Sequence, residues 1–216
     1  MNSEYKKLLN SCYPSVILLV IIWLIHFFNV HFDLALFKYG IQPRTFSGLK
    51  GLFFSPLIHS NEDLKHIFNN SVPLLILGWT LFYFYKKIAN QIIVYSWFLV
   101  GIFVWISARD SFHIGMSGVI YSLAFFLFFS GVFRKEKRLM AISLFVVFLY
   151  GSMIWGIFPY DYSISFESHF FGALTGTILA YFFQNEGATF KRKKTQWEIE
   201  EEMGIEPPDY ENNIYL

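Results

Sequence analysis

Charge is scarce in this sequence. Only 15% of its 216 residues are Asp, Glu, Lys or Arg, where a water-soluble domain carries about 25%. That shortage excludes a polar shell able to cover the rest, which is 55% hydrophobic and 21% aromatic. One apolar core cannot hide such a surplus, so lipid is the expected solvent. Neither sign of charge dominates: 17 basic against 16 acidic groups leave +1, which gives no reason to expect a nucleic acid or an acidic partner. Cysteine is almost missing too. Cys12 alone forms no internal disulfide, and the redox compartment stays open. No internal repeat is visible, and the length allows one membrane domain of several helices.

What is abundant is long apolar stretches. A helix needs about 20 apolar residues to cross hydrocarbon, and six such stretches are present. They run from about Cys12 to Val30, Leu64 to Tyr85, Ile88 to Ser107, Ile114 to Val132, Leu139 to Ile157 and Glu167 to Gln184. The first follows Lys6 and Lys7, as a signal peptide would. No small-x-small site follows His26-Phe27-Phe28, so it reads as an uncleaved anchor.

The basic residues orient these spans. Twelve fall on one side (Lys6, Lys7, Lys86, Lys87, Arg134, Lys135, Lys137, Arg138 and Lys191 to Lys194), and five on the other (Lys38, Arg44, Lys50, Lys65, Arg109). The richer side is expected to be cytoplasmic, with both termini inside. The expected layout is a cytoplasmic N-terminus over 1–11, a six-span membrane domain over 12–184 and a charged cytoplasmic tail over 185–216. The tail, basic at Lys191 to Lys194 and acidic from Glu198 to Glu206, is expected to be solvated and flexible. The segment His31 to Asp63 is too long and apolar for a plain connector, and its Leu34–Phe37 and Leu52–Phe54 runs predict a structured loop in the outer interface.

Polar groups inside spans are costly and need an explanation. Three sets stand at the outer helix ends: His66 with Asn70, Gly115-Met116-Ser117-Gly118 with Tyr121, and His169 with Gly172 and Gly176. Ser117 falls in the first turn of its helix, where backbone N–H groups lack partners and the dipole favours an anion. Small neighbours let a substrate backbone approach the hydroxyl, although such residues also serve as a plain packing face. Serine needs a base to take its proton, and His169 is the candidate. Gly172 and Gly176 share its helix face and allow close packing on the fourth span. Tyr121, one turn below Ser117, is placed to stack on the imidazole. His66 and Asn70, four apart, project from one face as donors to an oxyanion or as a polar clamp between helices. His59 lies in a loop, where a solvated histidine is ordinary. The H-E-x-x-H metal signature is absent, and no cofactor is called for.

In this order and spacing the residues resemble the rhomboid family of intramembrane serine proteases. The likeness covers roughly Ser15 to Gln184, and the joint pattern is far more specific than any one motif. It implies an all-α six-helix bundle in which Ser117 is the nucleophile and His169 the base, a dyad without a third acid. It further implies that His66, Asn70 and the Ser117 N–H form the oxyanion hole, that Gly115 and Gly118 shape its floor, and that Phe158 to Phe166 is a mobile cap. The expected partners are transmembrane protein substrates within the lipid bilayer, and the expected location is a bacterial inner membrane. Three departures stand out: no Trp-Arg pair in the first loop, His59 seven residues before His66, and Met116 where alanine or leucine is commoner. The rival classes are an inactive rhomboid-like client-binding protein and a small transporter. Clustering of the polar groups at one depth speaks against the transporter.

The topology is directly testable. A reporter fused after Leu216 should read as cytoplasmic and one inserted near Arg44 as extracytoplasmic. An externally accessible C-terminus would defeat the six-span layout.

Overall fold

The computed structural model describes residues 3–61, 64–161, 164–187 and 195–204. Among these the regular structure is helical, with one isolated β-bridge between Ile41 and His113. The helices are α1 (Ser3–Phe32), the single turn α2 (Gly51–Phe54), α3 (Leu64–Phe84), α4 (Ala89–Ser107), α5 (Ser117–Arg134), α6 (Lys137–Tyr150), α7 (Phe166–Phe182) and α8 (Gln196–Glu202). A 3-10 run, Gly151–Ile157, continues α6. Among the described residues five segments are long and apolar enough to cross a membrane: α1, α3, α4, α5, and α6 with its 3-10 extension. At 17 residues, α7 is the shortest of the long apolar helices apart from α6 itself.

α5 is the axis of the bundle. Leu123, Phe126 and Leu127 are fully buried along it, whereas Leu144 and Phe148 on α6 are largely exposed, as a lipid-facing surface requires. Hydrocarbon offers no water, so pairing with protein groups is favoured for polar side chains between helices, and several pair in this way. Ser96 on α4 and Ser122 on α5 share a hydrogen bond of 2.7 Å. Ser143 on α6 donates to the Phe128 carbonyl at 2.6 Å, and Trp23 on α1 donates to Ser71 on α3 at 3.0 Å. At the other end, Arg134 donates to the carbonyls of Phe183 and Glu186 just past α7.

α7 lies against α5 with backbone touching backbone. A methyl group at Gly172 would run into the Gly118 carbonyl oxygen, and one at Gly176 into the Ser122 carbonyl oxygen. No larger residue permits this approach, which is the small-residue crossing found in membrane bundles.

The first loop is structured, as expected. It contains 3-10 turns at Leu36–Tyr39, Ser47–Lys50 and Ser55–Leu57 around α2. Trp105 and Trp97 of α4 donate to the carbonyls of Thr45 (2.8 Å) and Leu52 (3.0 Å). Asn29 on α1 donates to Asn61 at 2.6 Å and accepts the Leu36 N–H at 3.1 Å. Fully exposed Phe46 and half-exposed Phe53 and Phe54 stand at the surface of this loop.

Several boundaries differ from expectation. The fourth helix begins at Ser117 rather than Ile114, because Gly115 adopts a positive φ of 108° that no helix accommodates. The fifth tightens into 3-10 geometry at Gly151. Phe166, expected in the cap, opens α7, while 162–163 lie outside the described residues. In the tail Gln196–Glu202 is a helix of about two turns, begun by a capping box between Thr195 and Glu198. Lys191 to Lys194 lie outside the described residues.

The α5–α7 crossing yields a stability prediction. Gly176→Val should destabilise the protein in detergent by about 3 kcal/mol or more, since the colliding atoms are helix backbone. Thermal unfolding of this variant beside Gly151→Ala, whose Cβ meets only Val147 at 3.6 Å, should show loss at Gly176 alone.

Candidate active site

The chain enters α5 through Ile114, Gly115 and Met116. The Gly115 N–H donates to the Ser55 carbonyl at 2.9 Å, tying this entry to the first loop. Ser117 is the first residue of α5 and half-buried. Its N–H therefore has no acceptor within the helix. A methyl group at position 115 would lie 2.7 Å from His66 Nε2 and 3.8 Å from Asn70 Nδ2. Glycine thus lets both α3 side chains close on the entry to Ser117. Gly118, one residue on, faces the Ser168 backbone and Val100.

His169 is buried in the first turn of α7. Its Nδ1 is 3.0 Å from the Gly156 carbonyl oxygen. A carbonyl only accepts, so Nδ1 carries the hydrogen and Nε2 keeps its lone pair. The ring stacks on Tyr121 at 4.2 Å between centroids and 6° between planes. The Tyr121 hydroxyl in turn donates to the Met153 carbonyl at 2.8 Å. The 3-10 run Gly151–Ile157 is thereby fastened to both rings. Among the described residues no hydrogen bond joins Ser117 to His169; such bonds are commonly long until substrate is bound. What the arrangement offers is a serine in the first turn of α5 and, in the first turn of α7, an imidazole whose tautomer and ring plane are fixed.

On α3, Asn70 is buried and donates one amide hydrogen to the His66 carbonyl at 3.0 Å, which leaves its other amide hydrogen for a ligand. The His66 ring meets His59 edge-on at 5.1 Å. His59 overturns the expectation of a solvated loop histidine, for it is only 1% exposed. The loop folds back over the bundle, with Pro56 and Ile58 buried beside it. Neither His59 ring nitrogen makes a hydrogen bond of good geometry. Burial, then the neighbouring His66 and His26, pull its pKa down to about 3, opposed by the Leu57 backbone. Among the described residues no three of His, Cys, Asp and Glu converge as a metal site requires.

Two elements escaped the sequence reading. One is the Gly156 and Met153 carbonyls, invisible because backbone acceptors carry no residue signature. The other is a network at the start of α7. His113 Nδ1 is 2.6 Å from Ser165 Oγ and its Nε2 is 3.1 Å from the Arg109 carbonyl. Arg109 Nε stands 3.6 Å from Glu167 Oε1. Burial lowers the pKa of His113, with the Arg109 carbonyl and Glu167 opposing. The available signal was a histidine four residues ahead of Ser117 in a chain with six histidines.

His59 gives a pH prediction. Its folded pKa of about 3 lies below the unfolded value of 6.5, so the unfolded chain takes up a proton first as pH falls. Its contribution is intact above 6.5 and is lost progressively down to about 3, by about 1.4 kcal/mol per pH unit. Unfolding at pH 7, 6 and 5 should show a falling Tm that is flatter in His59→Phe. Parallel slopes for the two proteins would remove His59 as the cause.

Comparison with known proteins bears on this geometry. The family model for the rhomboid domain matches residues 47–186, which hold α3 to α7 and every residue of the candidate site. An uncharacterized protein of Mycobacterium tuberculosis is 33% identical over 153 residues, which cover 66% of this chain and 62% of the relative. One from Mycobacterium leprae is 29% identical over 151 residues, covering 66% and 59%. The chain thus spans about three fifths of the length of these relatives. With more than half of its residues matched by that one family model, the chain belongs to the rhomboid family.

Proposed function

We propose that this protein is an intramembrane serine endopeptidase that cleaves peptide bonds in or near transmembrane segments of other membrane proteins. The observation that carries this reading is the state of His169. Its Nδ1 hydrogen is committed to the Gly156 carbonyl, so the lone pair a general base needs is on Nε2. The layout proposed with it has six spans over 12–184, α7 being the sixth, both termini cytoplasmic, and a charged tail over 185–216. The setting is a bacterial cell membrane, in keeping with the mycobacterial relatives.

In the proposed reaction Ser117 Oγ attacks the scissile carbonyl carbon and His169 Nε2 takes the hydroxyl proton. The oxyanion forms beside the Ser117 N–H, His66 and Asn70, whose hydrogen bonds strengthen as charge develops. The C–N bond breaks as the imidazolium returns its proton to the leaving amine, giving an acyl-enzyme. Water, deprotonated by the same Nε2, releases the acid and restores Ser117. Stacking on Tyr121 keeps the imidazole in plane through both halves. The scissile bond must be extended to reach Ser117, so segments of low helix propensity are the favoured substrates.

The test is labelling of the purified protein by a fluorophosphonate together with cleavage of a fluorogenic transmembrane peptide. Ser117→Ala should abolish both, and His169→Ala should reduce cleavage as far, with the double variant little worse than either. His66→Ala and Asn70→Ala should lower kcat by up to about a hundred-fold with KM little changed. Cleavage persisting in Ser117→Ala removes the nucleophile. Absence of labelling in the unaltered protein would favour a client-binding rhomboid without protease activity.

A further inference from the structure

His113 belongs to none of the roles above, yet it touches both halves of the proposed dyad's framework. Its backbone is held to the first loop: the Ile41 N–H donates to the His113 carbonyl at 3.0 Å and the His113 N–H returns to the Ile41 carbonyl at 2.8 Å. Only Ile114, Gly115 and Met116 separate it from Ser117. Its side chain reaches the other way, to the cap of α7.

The direction of each hydrogen bond follows from the partners. The Arg109 carbonyl only accepts, so Nε2–H donates to it at 3.1 Å. In the neutral ring Nδ1 then has a lone pair and accepts from the Ser165 hydroxyl at 2.6 Å. Ser165 is the N-cap of α7. With its proton given to His113, its oxygen is free to accept from the Ser168 hydroxyl at 2.7 Å and the Ser168 N–H at 3.3 Å. The Ser165 carbonyl accepts the N–H of His169 itself at 3.3 Å. Beside this chain Arg109 donates to the Ile164 carbonyl at 2.8 Å and its guanidinium covers the Phe166 ring at 5.2 Å. Hence the 109–113 turn grips 164–168 as a unit.

We propose that His113 is a positioning residue for the Ser117–His169 pair: through Ser165 it locks the cap of the base-bearing helix to the segment that delivers the nucleophile. The proposal rests on the protease reading above. A shift of Ser165 carries the first turn of α7 with it, and misplacement of reacting groups by about 1 Å costs a hundred-fold in rate. A plain packing role for His113 would instead cost stability, with activity following the folded fraction.

Two substitutions separate these roles. Asparagine at 113 sets a carbonyl oxygen where Nδ1 stands and keeps the acceptor for Ser165. Glutamine sets its amide where Nε2 stands, keeping the donor to Arg109 and losing that acceptor. His113→Gln should lower kcat by about ten- to a hundred-fold with KM within about two-fold, and slow fluorophosphonate labelling of Ser117 in step. His113→Asn should stay within about three-fold of the unaltered enzyme, and His113→Gln combined with Ser165→Ala should be no worse than the poorer single variant. All rates are taken per folded molecule, with Tm measured alongside, on the full chain in proteoliposomes. Wild-type kcat in His113→Gln, or equal losses in both variants that follow Tm, overturns the positioning role while labelled wild-type Ser117 keeps the protease reading. An unlabelled, inactive wild-type protein overturns both.

Discussion

Gly172 and Gly176 let α7 lie against α5 at backbone contact, and the candidate site depends on that approach. Ser117 opens α5 and His169 sits in the first turn of α7. Side chains at the ends of two helices come together only if the axes run close from the first turn onward. Any Cβ at either glycine meets a carbonyl oxygen of α5, and no rotamer relieves a clash between backbones. The same closeness brings the Tyr121 ring under His169. In a bilayer this contact draws little from the hydrophobic effect, because lipid is as apolar as the helix surface. Shape carries it.

The second constraint is the absence of water at membrane depth. Wherever the chain leaves helical geometry, its polar groups must be met by protein. Gly115 meets this by donating to Ser55, and Ile41 and His113 by exchanging hydrogen bonds. The carbonyls of Met153 and Gly156, freed as α6 tightens into a 3-10 run, are taken by Tyr121 and His169. The irregular segments therefore gather around the site because it supplies the partners that irregular backbone requires. Buried His59, with no well-formed hydrogen bond, departs from this pattern, and burial holds its ring neutral.

Much of this was legible in the sequence, for identifiable reasons. Helix positions followed from apolar length, and the stacking of Tyr121 on His169 from helical spacing once Gly172 and Gly176 fixed the facing surfaces. Side-chain motifs are written in residue identity. Backbone partners are not: nothing in Gly151–Ile157 says that two of its carbonyls will hold two rings. The start of α5 was misjudged by three residues because Ile114 is as apolar as the helix beyond it, and only the φ of Gly115 marks the boundary. For His59 a loop position ordinarily means solvent, whereas this loop is fastened to α4 by Trp97 and Trp105 and lays the His59 ring against His66 of α3.

His169, the proposed base, and the lipid-facing fifth segment are mechanically linked. His169 needs Nδ1–H engaged for Nε2 to act in the proposed reaction, and the Gly156 acceptor belongs to a 3-10 run that carries exposed Trp155 and is flanked by exposed Leu144, Phe148 and Phe158. A displacement of that run removes the Nδ1 partner and the Met153 acceptor of Tyr121 together. The imidazole would then lose its fixed tautomer, and the tyrosine beneath it the hydrogen bond that anchors its ring. Motion that widens the site at this segment therefore works against the state of the base. Under the proposed mechanism, the proton transfer from Ser117 therefore requires that an acceptor, the Gly156 carbonyl or a substrate carbonyl in its place, engage His169 Nδ1.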